Sequence, residues 1–434
     1  MLDKNTLNGF KRNTKNKSKE SDRESNKFDD GTQIVGTELC QILIHLYDLH
    51  SVKSTEKPIV LSKRKSAIIS ALTSLLCVST KAKKFALNDG FLEQIITQLQ
   101  ELHVKLSLES VESIRRASDK KRVCPILNDI SCIFKLLTNF MLGNERVKLQ
   151  AVSLGLADLI HKLWNWINFQ QNLLIEVLRM LCTFTTECQI ASQSITLTSP
   201  VAGVGPRKTP TTMSLLHCIL HLIGKEMDLV SRSHDLKILT YSFHLLQNCC
   251  QAYECRVLIS KSNFFQHLNR LHPAITKQQK PWESIELLWL EFLETLTFHP
   301  EGQVSVAKSS DTLELIMALT SSPHEVNKMT ALAILRNITF YQANRTRLLS
   351  SGEFLQILNS KLSNGSIEEK CTCITIIWSL AANNQKAKLI LKTSGLECRL
   401  QEVLKQWKLG ESSLVPKEQL NNLQYIIEML REGR

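Results

Sequence analysis

The chain has 434 residues, 43% of them hydrophobic and 22% charged, with a formal net charge of +12. Its 15 glycines and 10 prolines are few for this length, which excludes collagen-like, low-complexity and turn-rich all-β chains and leaves a helical protein too long for one compact core. Apolar runs such as Ser66 to Ser79 and Met213 to Ile223 fall short of the roughly 18 residues a bilayer span requires, so no membrane insertion is expected.

The first 31 residues form a polar tail rich in Asn, Ser and Lys; residues 1–30 carry eight Lys or Arg against six Asp or Glu, a composition expected to stay disordered. No apolar signal-peptide core follows Met1, so the glycosylation sequons at Asn16, Asn337, Asn344 and Asn364 are expected to go unused. Thirteen cysteines, among them Cys77, Cys132, Cys182, Cys218 and Cys373 within apolar stretches, are expected to be reduced core residues of an intracellular protein. They lack metal-ligand spacing, and His217 and His221 are expected to pack rather than bind metal.

After an opening helix near Glu38 to His50, one pattern recurs. Seven stretches place apolar or small residues at i, i+3, i+4 and i+7, the buried stripe of a helix. They are Ile68/Ala71/Leu72/Leu75, Ile133/Leu136/Leu137/Phe140, Val177/Met180/Leu181/Phe184, Ser242/Leu245/Leu246/Cys249, Trp289/Phe292/Leu293/Leu296, Ala331/Ile334/Leu335/Ile338 and Cys373/Ile376/Ile377/Leu380. A polar or basic residue follows each one and opens a short second helix: Lys83, Arg146, Gln189, Arg256, Gln303, Arg345 and Lys386. Gly90, Gly155, Gly352 and Gly395 stand where a helix junction wants a left-handed residue.

Leu296, Ile338 and Leu380 are spaced by 42 residues, the period of helical solenoid repeats. Longer steps place insertions near 105–124 and 192–212, where charged or Ser, Thr, Pro and Gly residues collect. The array of about seven units is assigned to 32–395, and a closing helical pair, Glu397 to Trp407 and Lys417 to Arg431, occupies the final segment 396–434. One such unit cannot bury enough apolar surface to fold alone, so stability must come from stacking.

The stretch ALAILRNITFYQANRTRLLSSG, within Asp311 to Gly395, resembles armadillo repeats. The fold expected is therefore all-α, an armadillo/HEAT-like right-handed α-solenoid. That resemblance implies third helices lining a groove, in which a polar side chain can bond the backbone of an extended peptide. The matching positions are Ser74, Asn139, Thr183, Asn248, Thr295, Asn337 and Ser379. Asn139, Asn248, Asn337 and Ser379, with Arg336 beside Asn337, are the candidate partner-binding residues. The alternative is that these small polar residues bond a carbonyl one turn back and let helices approach. Trp164, Trp166, Trp289, Trp378 and Trp407, set among apolar residues, are expected to pack in the core.

Catalytic and nucleotide motifs are lacking: Gly203 to Thr209 has the wrong spacing for a phosphate loop, and no cofactor is expected. Ser199-Pro200 and Thr209-Pro210, beside Arg207 and Lys208, are candidate phosphorylation sites for proline-directed kinases. The stretches LLWLEFLETLTFHPEGQ and ILRNITFYQANRTRLLSSG, with the array around them, resemble the carboxy-terminal part of the rotatin family, long armadillo-type proteins of centrioles and ciliary basal bodies. The resemblance implies a non-enzymatic scaffold of the cytoplasm and cytoskeleton that serves centriole assembly and ciliogenesis, with centriolar or basal-body proteins as partners. The basic runs Lys63-Arg64-Lys65, Lys81 to Lys84 and Arg115 to Arg122 raise the alternative of a polyanion such as nucleic acid, without the interleaved aromatics of an RNA-reading module. Such runs are normally solvated helix faces or loops.

Overall fold

A computed structural model describes residues 30–51, 58–108, 125–198, 213–229, 236–262, 264–265, 279–409 and 416–431. The described residues are helical throughout, apart from turns and one antiparallel bridge between Thr198 and Ser214. They divide into two compact units, one running to Phe184 and the other taking up the chain from Thr185. The candidate phosphorylation sites Ser199 and Thr209, the phosphate-loop-like stretch, the basic run Arg115 to Arg122, the greater part of the polar tail and residues 109–124 lie outside the described residues.

The first unit opens with α1 (Asp30–Ser51), which begins earlier than the sequence pattern indicates, and α2 (Pro58–Val78). There follow α3 (Thr80–Asn88), α4 (Phe91–Leu108), α5 (Pro125–Met141), α6 (Glu145–Ser153), α7 (Leu156–Ile167) and α8 (Gln171–Thr185), whose last residue begins the second unit. Twice over, a short helix is followed by two longer ones. Like packs on like: α5 lies on α2, and α7 on α4.

The second unit holds α9 (Gln189–Ser194), α10 (Leu215–Leu229), α11 (Lys237–Cys249), α12 (Tyr253–Lys261), α13 (Gln279–Thr297), α14 (Pro300–Lys308), α15 (Ser310–Leu319), α16 (Glu325–Thr339), α17 (Gln342–Ser350) and α18 (Gly352–Asn364). It ends with α19 (Ile367–Ala381), α20 (Gln385–Thr393), α21 (Leu396–Lys408) and α22 (Lys417–Arg431). Three rows run through it. The short helices stack in the order α9, α12, α14, α17, α20, and the middle helices in the order α15, α18, α21. The long third helices stack as α11, α13, α16, α19, α22. The closing pair thus takes the positions of a second and a third helix; α22 buries Leu423, Ile426, Ile427 and Leu430 and leaves Lys417, Glu418, Gln424 and Glu428 in solvent.

Six of the seven stripes read from the sequence are buried to within 1% exposure at all four positions. The first is one residue out of register: Ile69, Leu72 and Leu76 are buried in α2, while Ala71 is exposed. The run Ala67-Ile68-Ile69 followed by Leu75-Leu76 offers apolar residues on two adjacent faces, so the 3.6-residue period alone cannot choose between them.

The junctions rest on local chemistry. Ser79, Asn144 and Asn384 cap the short helices α3, α6 and α20, each side chain accepting from a backbone N–H three residues on. Gly90, Gly155 and Gly395 have positive φ, as expected, and Gly143 joins them. Gly352 does not: Ser351 caps α18 by accepting from the Phe354 N–H, so the chain enters that helix without a left-handed residue. Glu187 and Asn383 hold the same turn position as Gly143, at φ 52° and 55°.

Candidate functional site

The third helices carry the candidate partner-binding residues, and the polar residues on them have two different fates. Ser74, Thr183 and Thr295 each donate to the carbonyl four residues back, Ser70, Arg179 and Glu291 respectively. The asparagines do something the sequence pattern does not show. Asn139 Nδ2 donates to the Thr73 carbonyl at 2.9 Å, and Asn248 Nδ2 reaches the hydroxyls of Thr185 and Thr186 at 3.2 and 3.1 Å. Asn337 Nδ2 reaches Thr297 Oγ1 at 3.3 Å, and Ser379 Oγ donates to Thr339 Oγ1.

The bonds of Asn248, Asn337 and Ser379 step from one unit to the next in a fixed register, each reaching a threonine two residues past the preceding unit's matching position, whereas Asn139 meets a carbonyl one residue before it. Thr297 and Thr339 each give their hydroxyl proton to a carbonyl three residues back, Glu294 and Arg336, which frees an oxygen lone pair to accept from the following unit. Asn337 and Ser379 are 2% and 1% exposed, so their polar groups are used inside the stack. Asn139 and Asn248 are half-buried.

A second ladder satisfies helix ends. The last carbonyls of a helix have no intrahelical donor. Here three of the seven residues read as openers of the short helices supply donors from inside those helices: Arg256 Nη1 donates to the Cys250 carbonyl, Gln303 Nε2 to Thr297, and Arg345 Nε to Thr339, whereas Arg146, Gln189 and Lys386 are exposed. Asn344 Nδ2 donates to both Ile338 and Gln303 at 3.0 Å. Two of the cations also reach forward, Lys83 Nζ to the Leu142 carbonyl and Arg345 Nη1 to Ala382. Lys83 is buried, not on the solvated face expected of the run Lys81 to Lys84, because its ammonium serves that carbonyl.

At the other end of the third helices, Glu369 is 3% exposed. It completes the capping box of α19 with Ser366 and accepts from Lys361 Nζ at 2.7 Å, with Lys328 Nζ at 3.5 Å. Burial alone would raise its carboxyl, but the hydrogen bonds from Lys361 and the Ser366 N–H, with the charges of Lys361 and Lys328, hold it below the ordinary value of 4.5. One unit earlier, Asn327 Nδ2 donates to the buried Glu286 at 2.7 Å.

What these ladders leave outward is a row on α13, α16, α19 and α22. Glu291 and Glu294 are half-buried on α13, and Arg336 beside them on α16 donates to Asn337 Oδ1 from Nε and Nη2 at 3.3 and 3.1 Å. Trp378, expected in the core, is instead 38% exposed, whereas Trp164, Trp166, Trp289 and Trp407 are buried. Its stripe neighbours Ile376, Ile377 and Leu380 fill the core side of α19, which turns Trp378 outward. With Tyr425, 60% exposed, it flanks a cleft of about 340 Å³ between α19 and α22, floored by Ile374 and Ile426.

The cysteine and histidine expectations need adjustment. Cys373 is buried, its thiol pushed up to about 12 by desolvation, but Cys77 is exposed and Cys132, Cys182 and Cys218 are half-buried; among the described residues the other buried thiols are Cys40, Cys188, Cys249, Cys250 and Cys255. His217 caps the start of α10 through Ser214, whose Oγ lies 2.8 Å from Nδ1, while His221 is exposed rather than packed.

Helical triplets whose like members stack in three parallel rows define an armadillo/HEAT-like α-solenoid, and the described residues of the second unit show that arrangement over four successive short-helix steps. The chain is similar to rotatin: it is 26% identical to human rotatin over 405 residues, covering 91% of this chain and 17% of that protein. It is also 26% identical to mouse rotatin over 341 residues, covering 78% of this chain and 15% of that protein. The chain therefore spans less than a fifth of the length of these relatives. No family model matches. Among solved structures, computationally designed armadillo repeat proteins for modular peptide recognition align at 15% identity over 62% of this chain and 98% of that one, with a TM-score of 0.45. An engineered protein aligns at 15% identity over 89% of this chain and 98% of its own, with a TM-score of 0.44.

Proposed function

We propose that the protein is a non-enzymatic scaffold that binds other proteins along its third-helix row, and that it acts with centriolar or basal-body components in centriole assembly and ciliogenesis. The carrying observation is the outward row itself. Core and ladder contacts occupy Asn337 and Ser379, yet Glu291, Glu294, Arg336, Trp378 and Tyr425 stay accessible on consecutive helices of one stack. Arg336, with the half-buried Asn139 and Asn248, stays a candidate for partner contact, while the amide of Asn337 and the hydroxyl of Ser379 are used between neighbouring units. The centriolar assignment rests on the similarity to rotatin. Ser199 and Thr209, each followed by proline, are proposed as phosphorylation sites that add negative charge near Arg207 and Lys208 in the sequence.

Localisation of a tagged chain tests the reading. Signal at centrosomes or ciliary bases, with impaired ciliation when the gene is removed, is the expected result; a diffuse or chromatin-bound distribution refutes it. Salt separates protein binding from polyanion binding in the same pull-down, because nucleic-acid contacts weaken steeply between about 50 and 200 mM salt.

A further inference from the structure

Across α13, α16, α19 and α22 the outward row changes character in one direction. At its α13 end stand two carboxylates, Glu291 and Glu294, on one helix face three residues apart. Gln247 Nε2 approaches Glu291 at 3.5 Å, and Arg336 is the cation beside Glu294. Arg336 is shared with Asn337, so the acidic pair is incompletely neutralised: the Glu294 carboxyl lies above its ordinary range, raised by desolvation and by Glu291 against the opposing pull of Arg336. In a chain of net charge +12, this is a local acidic patch on a basic protein. At the α19–α22 end lies the cleft between Trp378 and Tyr425, where Ile374 and Ile426 supply an apolar floor and Thr375, Gln419 and Asn422 a polar margin.

We propose that this row receives an extended segment of a partner protein that seats an apolar side chain in the Trp378–Tyr425 cleft and a lysine or arginine on Glu291 and Glu294. The proposal rests on the scaffold reading above and names the partner chemistry of that same row. Charge complementarity fixes one end, since a cation relieves the repulsion between two half-buried carboxylates. Cavity shape fixes the other: a cleft of about 340 Å³ with two aromatic walls takes one large apolar side chain. Spacing follows from geometry. Glu294, Arg336 and Trp378 occupy the same register position at 42-residue intervals. Neighbouring helix axes lie about 8–10 Å apart, so two steps separate the anchors by about 16–20 Å, which an extended chain covers in about five or six residues. Arg336, between them, faces the backbone carbonyls of the segment.

Selection of a random peptide library displayed on phage against the full chain tests this. The expected motif pairs an aromatic or large aliphatic residue with Lys or Arg about five or six positions away. A synthetic peptide of that motif is then measured by fluorescence anisotropy. Trp378→Ala should weaken it about tenfold or more, as loss of a central aromatic anchor does. The double change Glu291→Lys and Glu294→Lys should abolish binding of that peptide and create binding of its Lys/Arg→Glu counterpart. Circular dichroism melts of both variants verify that these substitutions leave the fold intact. A motif with acidic residues, or one indifferent to these substitutions yet lost in Arg336→Ala, overturns the proposal and leaves the scaffold reading standing. Enrichment of no motif, or of one that no third-helix substitution affects, overturns both.

Discussion

Asn344→Ala tests the helix-end ladder most directly. The side chain is 7% exposed, and its amide gives both hydrogens to carbonyls, Ile338 in the last turn of α16 and Gln303 in α14. Alanine removes both donors. Gln303 lies inside a helix and keeps its backbone partner, so losing a second bond there costs well under about 1 kcal/mol, whereas Ile338 becomes a buried carbonyl at a helix end, at about 1–3 kcal/mol. The vacated volume adds a smaller cavity cost, giving about 2–3 kcal/mol in all. In a stack stabilised by nearest-neighbour contacts this loss is local. Hydrogen exchange followed by mass spectrometry should therefore show amides of α14, α16 and α17 exchanging about thirty- to a hundredfold faster, since about 1.4 kcal/mol is a factor of ten. Peptides from α2 to α7 should be unchanged. Unaltered protection in α16 and α17, or an equal rise throughout the chain, would refute the idea that short-helix side chains secure the ends of the third helices.

Three further outcomes follow from particular residues. Glu369→Gln should destabilise the protein by about 2–4 kcal/mol at neutral pH, because Lys361 loses its buried carboxylate partner. The Glu369 carboxyl is lowered in the folded state, so its stabilisation is present above pH 4.5 and lost as pH falls through the folded value; thermal melts of wild type and variant should differ at neutral pH and draw together as the pH is taken down past 4.5. Glu187→Gly should raise stability by about 1 kcal/mol in urea titrations, since a side chain at φ 52° is strained where glycine is not. Ser242→Ala should also stabilise, by about 1 kcal/mol, because its Oγ is fully buried with no hydrogen-bond partner among the described residues; a lower melting temperature would count against that placement.

The stripes were legible because burial on one face of a helix imposes a 3.6-residue period that shows in six of seven stretches without knowledge of the neighbours. It failed at α2, where apolar residues on two faces made the period ambiguous. Trp378 was misplaced for a related reason: apolar neighbours in sequence say nothing about which face a residue occupies, and the stripe Cys373/Ile376/Ile377/Leu380 already excludes position 378. The polar ladders were beyond reach, because a bond such as Asn337 to Thr297 joins residues 40 apart that meet only once the helices stack. The positions could be found by repeat alignment, but not whether each would bond its own helix, as Thr295 does, or its neighbour, as Asn337 does.

Arg345 reaches from the end of α16 to the end of α19, and Asn344 from α17 to α14. Each module is thus finished off by atoms belonging to the modules on either side. A chimera that swaps one triplet for a foreign one of equal length will inherit frayed seams unless its junction donors are transplanted with it. Whole-module shuffling in such a protein is accordingly constrained at the turns rather than in the hydrophobic layers.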